Sequence, residues 1–230
     1  MKRWIGWMIV LLAAAAIGRA AAAPVAPGVR YLYLVRHGAY DRDEHADDLT
    51  ANGLNARGRE QARLIGARLA RLPVRIESLV SSDYTRARET ADVVGRALRM
   101  APARDSMLRE CTPSAERASL MKSEKPEDVA RCDAQLAAAW ARYARPSPAA
   151  DAHDVLVCHG NVIRWFASRA LGADPRRWSR MDIANASLTV IAVRADSSIR
   201  LVSFSDVGHL PPARQTWTGS GAGWSPPAAR

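Results

Sequence analysis

Tyr31-Leu32-Tyr33-Leu34-Val35-Arg36-His37-Gly38 sets the type of architecture that this chain of 230 residues adopts. A short apolar run, Tyr31 to Val35, stops at a cation and an imidazole, so it reads as a strand that ends on Arg36 and His37. The pattern recurs. Ile76–Val80 reads as a second strand running into Ser81-Ser82-Asp83-Tyr84-Thr85-Arg86, and Val155–Cys158 as a third ending in His159-Gly160-Asn161. Helical segments alternate with these strands. Leu54, Ala62, Ile65, Leu69 and Leu72 recur on one face until Pro73 interrupts, Thr85–Leu98 reads as a second helix, and Val162–Leu171 as a third. Leu188–Val193 and Ile199–Phe204 close the pattern as two strands joined by a turn at Asp196-Ser197-Ser198, most simply a hairpin. Strand–helix alternation of this kind implies an α/β protein with a mainly parallel sheet.

Three separate strands thus finish near an arginine or a histidine: Arg36 with His37, then Arg86, then His159. The carboxyl ends of strands line the ligand crevice of an open α/β sheet, so these four side chains are expected to converge on one strongly anion-binding site. Composition permits this without requiring it. The 30 arginines against 3 lysines suit phosphate, because a guanidinium donates two parallel hydrogen bonds. The arginines form no basic stripe interleaved with aromatics, which argues against nucleic acid as a partner.

The ends of the chain read differently from its middle. Lys2 and Arg3, the apolar run from Trp4 to Gly18 and the small residues Ala20–Ala23 describe a secretory signal with cleavage after Ala22. Its loss would remove Lys2, Arg3 and Arg19 and lower the formal charge from +10 to +7. The expectation is therefore a periplasmic or secreted protein, with anchoring through residues 4–23 as the alternative. Residues 23–210 form one catalytic domain, and Pro211–Arg230, rich in Pro, Ser, Thr, Gly and Ala, is expected to be a flexible tail unless it docks back. Cys111, Cys132 and Cys158 lack C-x-x-C spacing, so no zinc or redox site is expected; a Cys111–Cys132 disulfide is compatible with export, and Cys158 reads as a small buried side chain.

Leu34-Val35-Arg36-His37-Gly38, Ser81-Ser82-Asp83-Tyr84-Thr85-Arg86-Ala87-Arg88-Glu89-Thr90 and Cys158-His159-Gly160-Asn161-Val162-Ile163-Arg164 resemble, in order, the three motifs of the histidine phosphatase (phosphoglycerate-mutase-like) superfamily. Within it, Leu108-Arg109-Glu110, the third motif, Asp206-Val207-Gly208 and Leu210-Pro211-Pro212 resemble the branch of mitochondrial phosphoglycerate-mutase-like serine/threonine protein phosphatases. That branch carries an N-terminal membrane segment, unlike the export signal read here. The resemblance implies a three-layer α/β/α sandwich and a metal-independent phosphomonoesterase without cofactor. It implies His37 as nucleophile forming a phosphohistidine, Glu110 as general acid with a raised pKa, and His159, Arg36 and Arg86 around the phosphoryl group. Glu110 could instead pair with a nearby arginine, and Asn161 either contacts phosphate or caps the following helix, the cap being the simpler reading.

One departure stands out. Where many relatives carry Ser and Asn after the Arg-His-Gly triplet, this chain reads Ala39-Tyr40-Asp41-Arg42-Asp43-Glu44-His45, which makes Arg42 the candidate replacement for a missing phosphate contact. Asp41, Asp43, Glu44, Asp47 and Asp48 read as a solvated acidic loop, and His45, His153 and His209 as surface or structural residues. The substrate is either a phosphorylated sugar, envelope component or other small ester, or a phosphoprotein. The rival readings are a silent phosphate-ligand-binding protein and, below it, a phosphoglycerate-type mutase.

Overall fold

The computed structural model describes residues 28–217. Its elements, in chain order, are β1 (Arg30–Arg36), α1 (Ala56–Ala70), β2 (Ser78–Ser81), α2 (Thr85–Leu98), β3 (Ala103–Arg104), α3 (Ala118–Met121), α4 (Pro126–Tyr143), β4 (Ala152–Cys158), α5 (Gly160–Ala170), β5 (Leu188–Val193) and β6 (Ile199–Asp206). The strands form one sheet in the order β3-β2-β4-β1-β5-β6. β3, β2, β4 and β1 are mutually parallel, while β5 runs against both β1 and β6 as the expected hairpin. β4 inserts between β1 and β2, which makes β4 and β1 the two central strands.

Side chains on successive residues of a strand point to opposite faces, and the core divides accordingly. Leu32, Leu34, Leu156 and Cys158 pack against Cys132, Leu136 and Ala139 of α4 and Val162, Ile163 and Phe166 of α5. Tyr33, Val35, Val155 and Val157 pack against Ile65 and Leu69 of α1 and Ala87, Ala91 and Val94 of α2. This is the α/β/α sandwich. The two-sided burial also explains why β1 and the end of β4 are almost wholly apolar and lack the alternation of a half-exposed strand.

Local signals place most boundaries. The Asn55 side chain accepts the Gly58 N–H at 2.9 Å and starts α1. α2 ends at Arg99, which takes the left-handed conformation (φ 56°) more often given to glycine. α4, which is not among the expected elements, begins with Pro126 in its first turn followed by Glu127 and Asp128, residues suited to the positive end of a helix, and carries Val129, Cys132, Leu136, Ala139 and Tyr143 at helical spacing.

The C-terminal segment takes the docked alternative over its described part. Residues 211–217 dock: the Asn185 N–H donates to the Thr216 carbonyl at 2.9 Å, and Gln61 Nε2 donates to the Arg214 carbonyl at 2.7 Å. Residues 1–27, with the expected signal segment, and 218–230 lie outside the described residues. Cys111 and Cys132 are joined in a disulfide, and Cys158 is a buried free thiol.

Phe166 is fully buried between α4 and the sheet. Replacing it with alanine is expected to lower unfolding free energy by about 3–5 kcal/mol, the usual cost of an aromatic-sized core cavity, read from the urea midpoint at unchanged m value.

Candidate active site

Register brings the strand ends together. Arg36 lies opposite Cys158, and Ser81 opposite Val157, in the parallel ladders. The ladders continue one residue further: the His37 N–H donates to the Cys158 carbonyl at 3.0 Å and the Ser82 N–H to the Val157 carbonyl at 2.9 Å. His37, Ser82 and His159 therefore emerge side by side. Behind His37 the backbone meets the start of α1 so closely that a Cβ on Gly38 would lie 2.5 Å from the Gly58 carbonyl oxygen, which is why glycine follows the histidine.

The imidazole of His37 is buried, with Nδ1 2.8 Å from the Gly38 carbonyl oxygen. A carbonyl oxygen only accepts, so Nδ1 carries the proton and the lone pair resides on Nε2. Burial first, then the charges of Arg36 and Arg86, hold the pKa of His37 well below the ordinary 6.5, so the ring is neutral. The His159 ring lies 5.1 Å away, centroid to centroid, and its Nε2 is 2.9 Å from Ser82 Oγ. Burial, followed by His37, Arg86 and Arg36, lowers its pKa in the same sense.

Two buried guanidinium groups flank the imidazoles. Arg36 donates to the Ile183 carbonyl at 2.5 Å, and burial pushes its pKa down to about 10, still cationic at neutral pH. Arg86, in the first turn of α2, pairs with Asp48 at 2.5 Å and lies 4.7 Å from the ring centre of Tyr40 and 5.2 Å from that of Tyr84. The same two tyrosines meet the imidazoles edge-on, Tyr40 against His37 at 5.3 Å and Tyr84 against His159 at 5.4 Å.

Glu110 reaches the site from an irregular segment. Its carboxylate accepts the Asn161 backbone N–H at 3.1 Å, one of the N–H groups that the first turn of α5 leaves unbonded. Burial raises its pKa above the ordinary carboxylate value, against the opposing pull of Arg164, Arg36, Arg86 and that N–H. The structure thus gathers His37, His159, Arg36, Arg86 and Glu110, and it corrects two expectations. Asn161 is not a cap: His159 holds the N-cap position of α5, and Asn161 Nδ2 donates to the Cys111 carbonyl at 2.8 Å while its Oδ1 accepts from Arg164 at 2.5 Å. Arg42 is exposed and sits 3.6 Å from Glu44, because its loop turns outward to water.

Four groups to which the sequence reading gave no role complete the site: Asp48 and Tyr40, which lie outside the motifs, and Tyr84 and Arg164, which lie within the second and third. Asp41, Asp43, Glu44 and Asp47 are exposed as expected for an acidic loop, whereas Asp48 is drawn in to Arg86. Its loop is latched there, since the Asp48 carbonyl accepts from the Thr85 N–H at 2.8 Å and Asn52 Nδ2 donates to Asp48 Oδ1 at 2.9 Å. A cleft of about 440 Å³ runs from Tyr84 and Glu110 past Arg109, Glu124 and Gln135, and another of about 490 Å³ opens beside Tyr40. Among the described residues, no three His, Cys, Asp or Glu side chains are grouped to hold a metal ion.

Residues 32–119 and 112–206 match the histidine phosphatase superfamily, branch 1. The mitochondrial serine/threonine-protein phosphatase Pgam5 of Caenorhabditis elegans is 35% identical over 205 residues, 84% of this chain and 68% of the relative. Its Homo sapiens counterpart is 34% identical over 198 residues, 83% and 67% of the two chains. Among solved structures, a Plasmodium falciparum phosphoglycerate mutase superposes with a TM-score of 0.57 at 24% identity, covering 80% of this chain and 95% of that one. A mycobacterial glucosyl-3-phosphoglycerate phosphatase gives 0.57 at 23% identity, covering 77% and 99%. These two likenesses speak for the fold alone.

The relatives overturn one expectation, that of a periplasmic or secreted protein, because they are mitochondrial. A basic start, an apolar run and small residues suit a segment to a membrane or a translocation machinery, and none of these properties specifies which membrane. Among the described residues no helix is long and apolar enough to cross a membrane.

Unfolded imidazoles titrate near 6.5, whereas those of His37 and His159 titrate well below it in the native protein. The unfolded state therefore binds more protons as the pH falls, and stability present above 6.5 is lost below it. Glu110, with its raised pKa, works in the opposite direction. The urea midpoint is expected to fall between about pH 7.5 and about pH 5.5, and His159→Asn to flatten that slope; an unchanged slope would contradict a buried neutral His159.

Proposed function

We propose that this chain, which belongs to branch 1 of the histidine phosphatase superfamily and is a phosphatase, hydrolyses phosphate monoesters through a phosphohistidine on His37, with phosphorylated serine or threonine of proteins as the substrate class. The observation that carries the mechanism is the state of His37: neutral, its proton tied to the Gly38 carbonyl, and its Nε2 lone pair placed between buried cations. The substrate class is supported by the relatives, which are serine/threonine-protein phosphatases.

In the first half-reaction Nε2 of His37 attacks phosphorus in line, the N–P bond forms and the ester P–O bond breaks. Negative charge spreads over the equatorial oxygens, where the guanidinium groups of Arg36 and Arg86 meet it. Arg86 Nε and His159 Nδ1 are buried without a hydrogen-bond partner, and phosphoryl oxygens would satisfy both, selecting the His159 tautomer with its proton on Nδ1. The leaving alkoxide takes the proton of Glu110, whose raised pKa keeps it protonated at higher pH than an ordinary carboxyl group. In the second half-reaction the Glu110 carboxylate takes a proton from water as its oxygen attacks phosphorus. The N–P bond breaks, and inorganic phosphate leaves with His37 neutral again. The guanidinium groups supply the positive charge, so the reaction is expected to need no metal ion or cofactor.

Hydrolysis of para-nitrophenyl phosphate is expected to persist in excess EDTA and to vanish in His37→Ala; loss of turnover in EDTA would reject metal-independent histidine catalysis. A phosphothreonine peptide is expected to outperform hexose phosphates in kcat/KM, and the reverse order would reject the substrate class. The active form needs His37 deprotonated and Glu110 protonated. The pH profile should accordingly lose activity on the acid side below the usual imidazole range and on the alkaline side above the usual carboxylate range. Glu110→Gln should remove the alkaline limb and slow a phosphothreonine peptide by about 10²–10⁴-fold.

A further inference from the structure

We propose that Gln135 and the Cys111–Cys132 disulfide, both mounted on α4, position the Glu110 carboxyl group for proton transfer; this rests on the reading of Glu110 as general acid. The other reacting groups leave the ends of strands or the first turns of helices, where the backbone ladder places them. Glu110 has no such support, since Arg109–Arg117 contains no helix or strand. It is held instead through its two neighbours. Gln135 Nε2 donates to the carbonyl of Arg109 at 2.9 Å and to that of Met107 at 3.1 Å, fixing the backbone just before the acid. Cys111, just after it, is bonded to Cys132, which is 2% exposed in the core of the α4 face.

Cys132 and Gln135 are three residues apart and so share one face of α4, which is itself fixed by the buried Leu136 and Ala139. Two further ties act on the same three residues. Arg109 Nε and Nη2 donate to the two carboxylate oxygens of Asp83 at 2.7 and 2.6 Å, and Asn161 Nδ2 holds the Cys111 carbonyl. Another α4 side chain, Asp133, holds the same loop further on, at the Ser114 N–H, 3.0 Å. α4 carries no reacting group of its own, yet it grips the chain on both sides of the acid. A carboxyl group misplaced by about 1 Å loses much of its proton-transfer efficiency, so these grips bear on rate as well as on stability.

The test uses two esters and reads kcat/KM, which reports the steps through transfer to His37. A phosphothreonine peptide needs a proton for its alkoxide, whereas the phenolate of 2,4-dinitrophenyl phosphate leaves without one. Gln135→Met keeps the bulk of the side chain without its amide. Dithiothreitol acts on the folded wild-type protein: Cys111–Cys132 becomes two thiols as the dithiol closes to its own disulfide, which bypasses any failure of a variant to fold. Both perturbations are expected to lower kcat/KM on the phosphopeptide by about tenfold while leaving the dinitrophenyl ester within about twofold. They should also move the alkaline limb of the phosphopeptide profile to lower pH, as a loosened Glu110 becomes better solvated.

Equal losses on both esters, or no loss on either, would overturn the positioning role. Glu110→Gln, run alongside, separates the two readings. If it discriminates between the esters and the α4 perturbations do not, the positioning inference alone fails; if it does not discriminate, the general acid itself is misassigned and the inference falls with it.

Discussion

Seven residue pairs join β1 to β4 in parallel register, from Arg30 opposite Ala152 to Arg36 opposite Cys158, and the spacing of the site follows from that pairing. Parallel strands present their carboxyl ends on one edge, so the residues just beyond them, His37 and His159, become neighbours although they are far apart in sequence. The register is specified by burial on both faces. A slip of one residue would exchange Leu32 and Leu34 with Tyr33 and Val35, sending each pair into a core shaped for the other.

Burial then sets the chemistry of what stands at the strand ends. The same desolvation that makes an imidazole hard to protonate makes a carboxylate hard to ionise, so His37 and His159 are neutral bases while Glu110 is biased toward the protonated acid. Guanidinium groups resist this pressure because their ordinary pKa is so high: Arg36, 6% exposed, is lowered only to about 10, and Arg86 is buried beside it at 3% exposure. Their cost is offset locally by the Ile183 carbonyl, by Asp48 and by the faces of Tyr40 and Tyr84. A phosphoryl dianion complements such a cluster, and in the proposed mechanism one burial gradient prepares nucleophile, acid and charge stabilisers together.

The site is built by two different means. Arg36, His37, Arg86 and His159 sit on the most regular part of the molecule, where hydrogen-bond ladders leave little freedom. Glu110 sits on an irregular loop that is tied to α4 and α5 by side chains and one disulfide. Loops are where protein families vary, so this division lets the Glu110 side of the cleft differ while the strand-end side stays constant.

Short-range pattern determined much of this protein. Short apolar runs that end at polar residues place β1, β4 and the β5–β6 hairpin, and helical spacing places α1, α2 and α5, all within a few residues, because both patterns arise locally from backbone geometry and burial. The strand-end residues Arg36, His37, Arg86 and His159 were legible for the same reason, since a polar residue after an apolar strand is a local event. α4 was equally legible and not assigned: Pro126, Glu127 and Asp128 mark its start, and Val129, Cys132, Leu136 and Ala139 recur at helical spacing. Asp48 read as one more solvated acid, and Asn161 as a cap. Their actual roles depend on partners at separations of 38 and 50 residues, Arg86 and Cys111, which come within reach only after the sheet has closed. The sequence alone settled which residues stand at the strand ends; the tertiary structure decided which loop side chains meet them, because those meetings depend on where independent loops return and no local period records that.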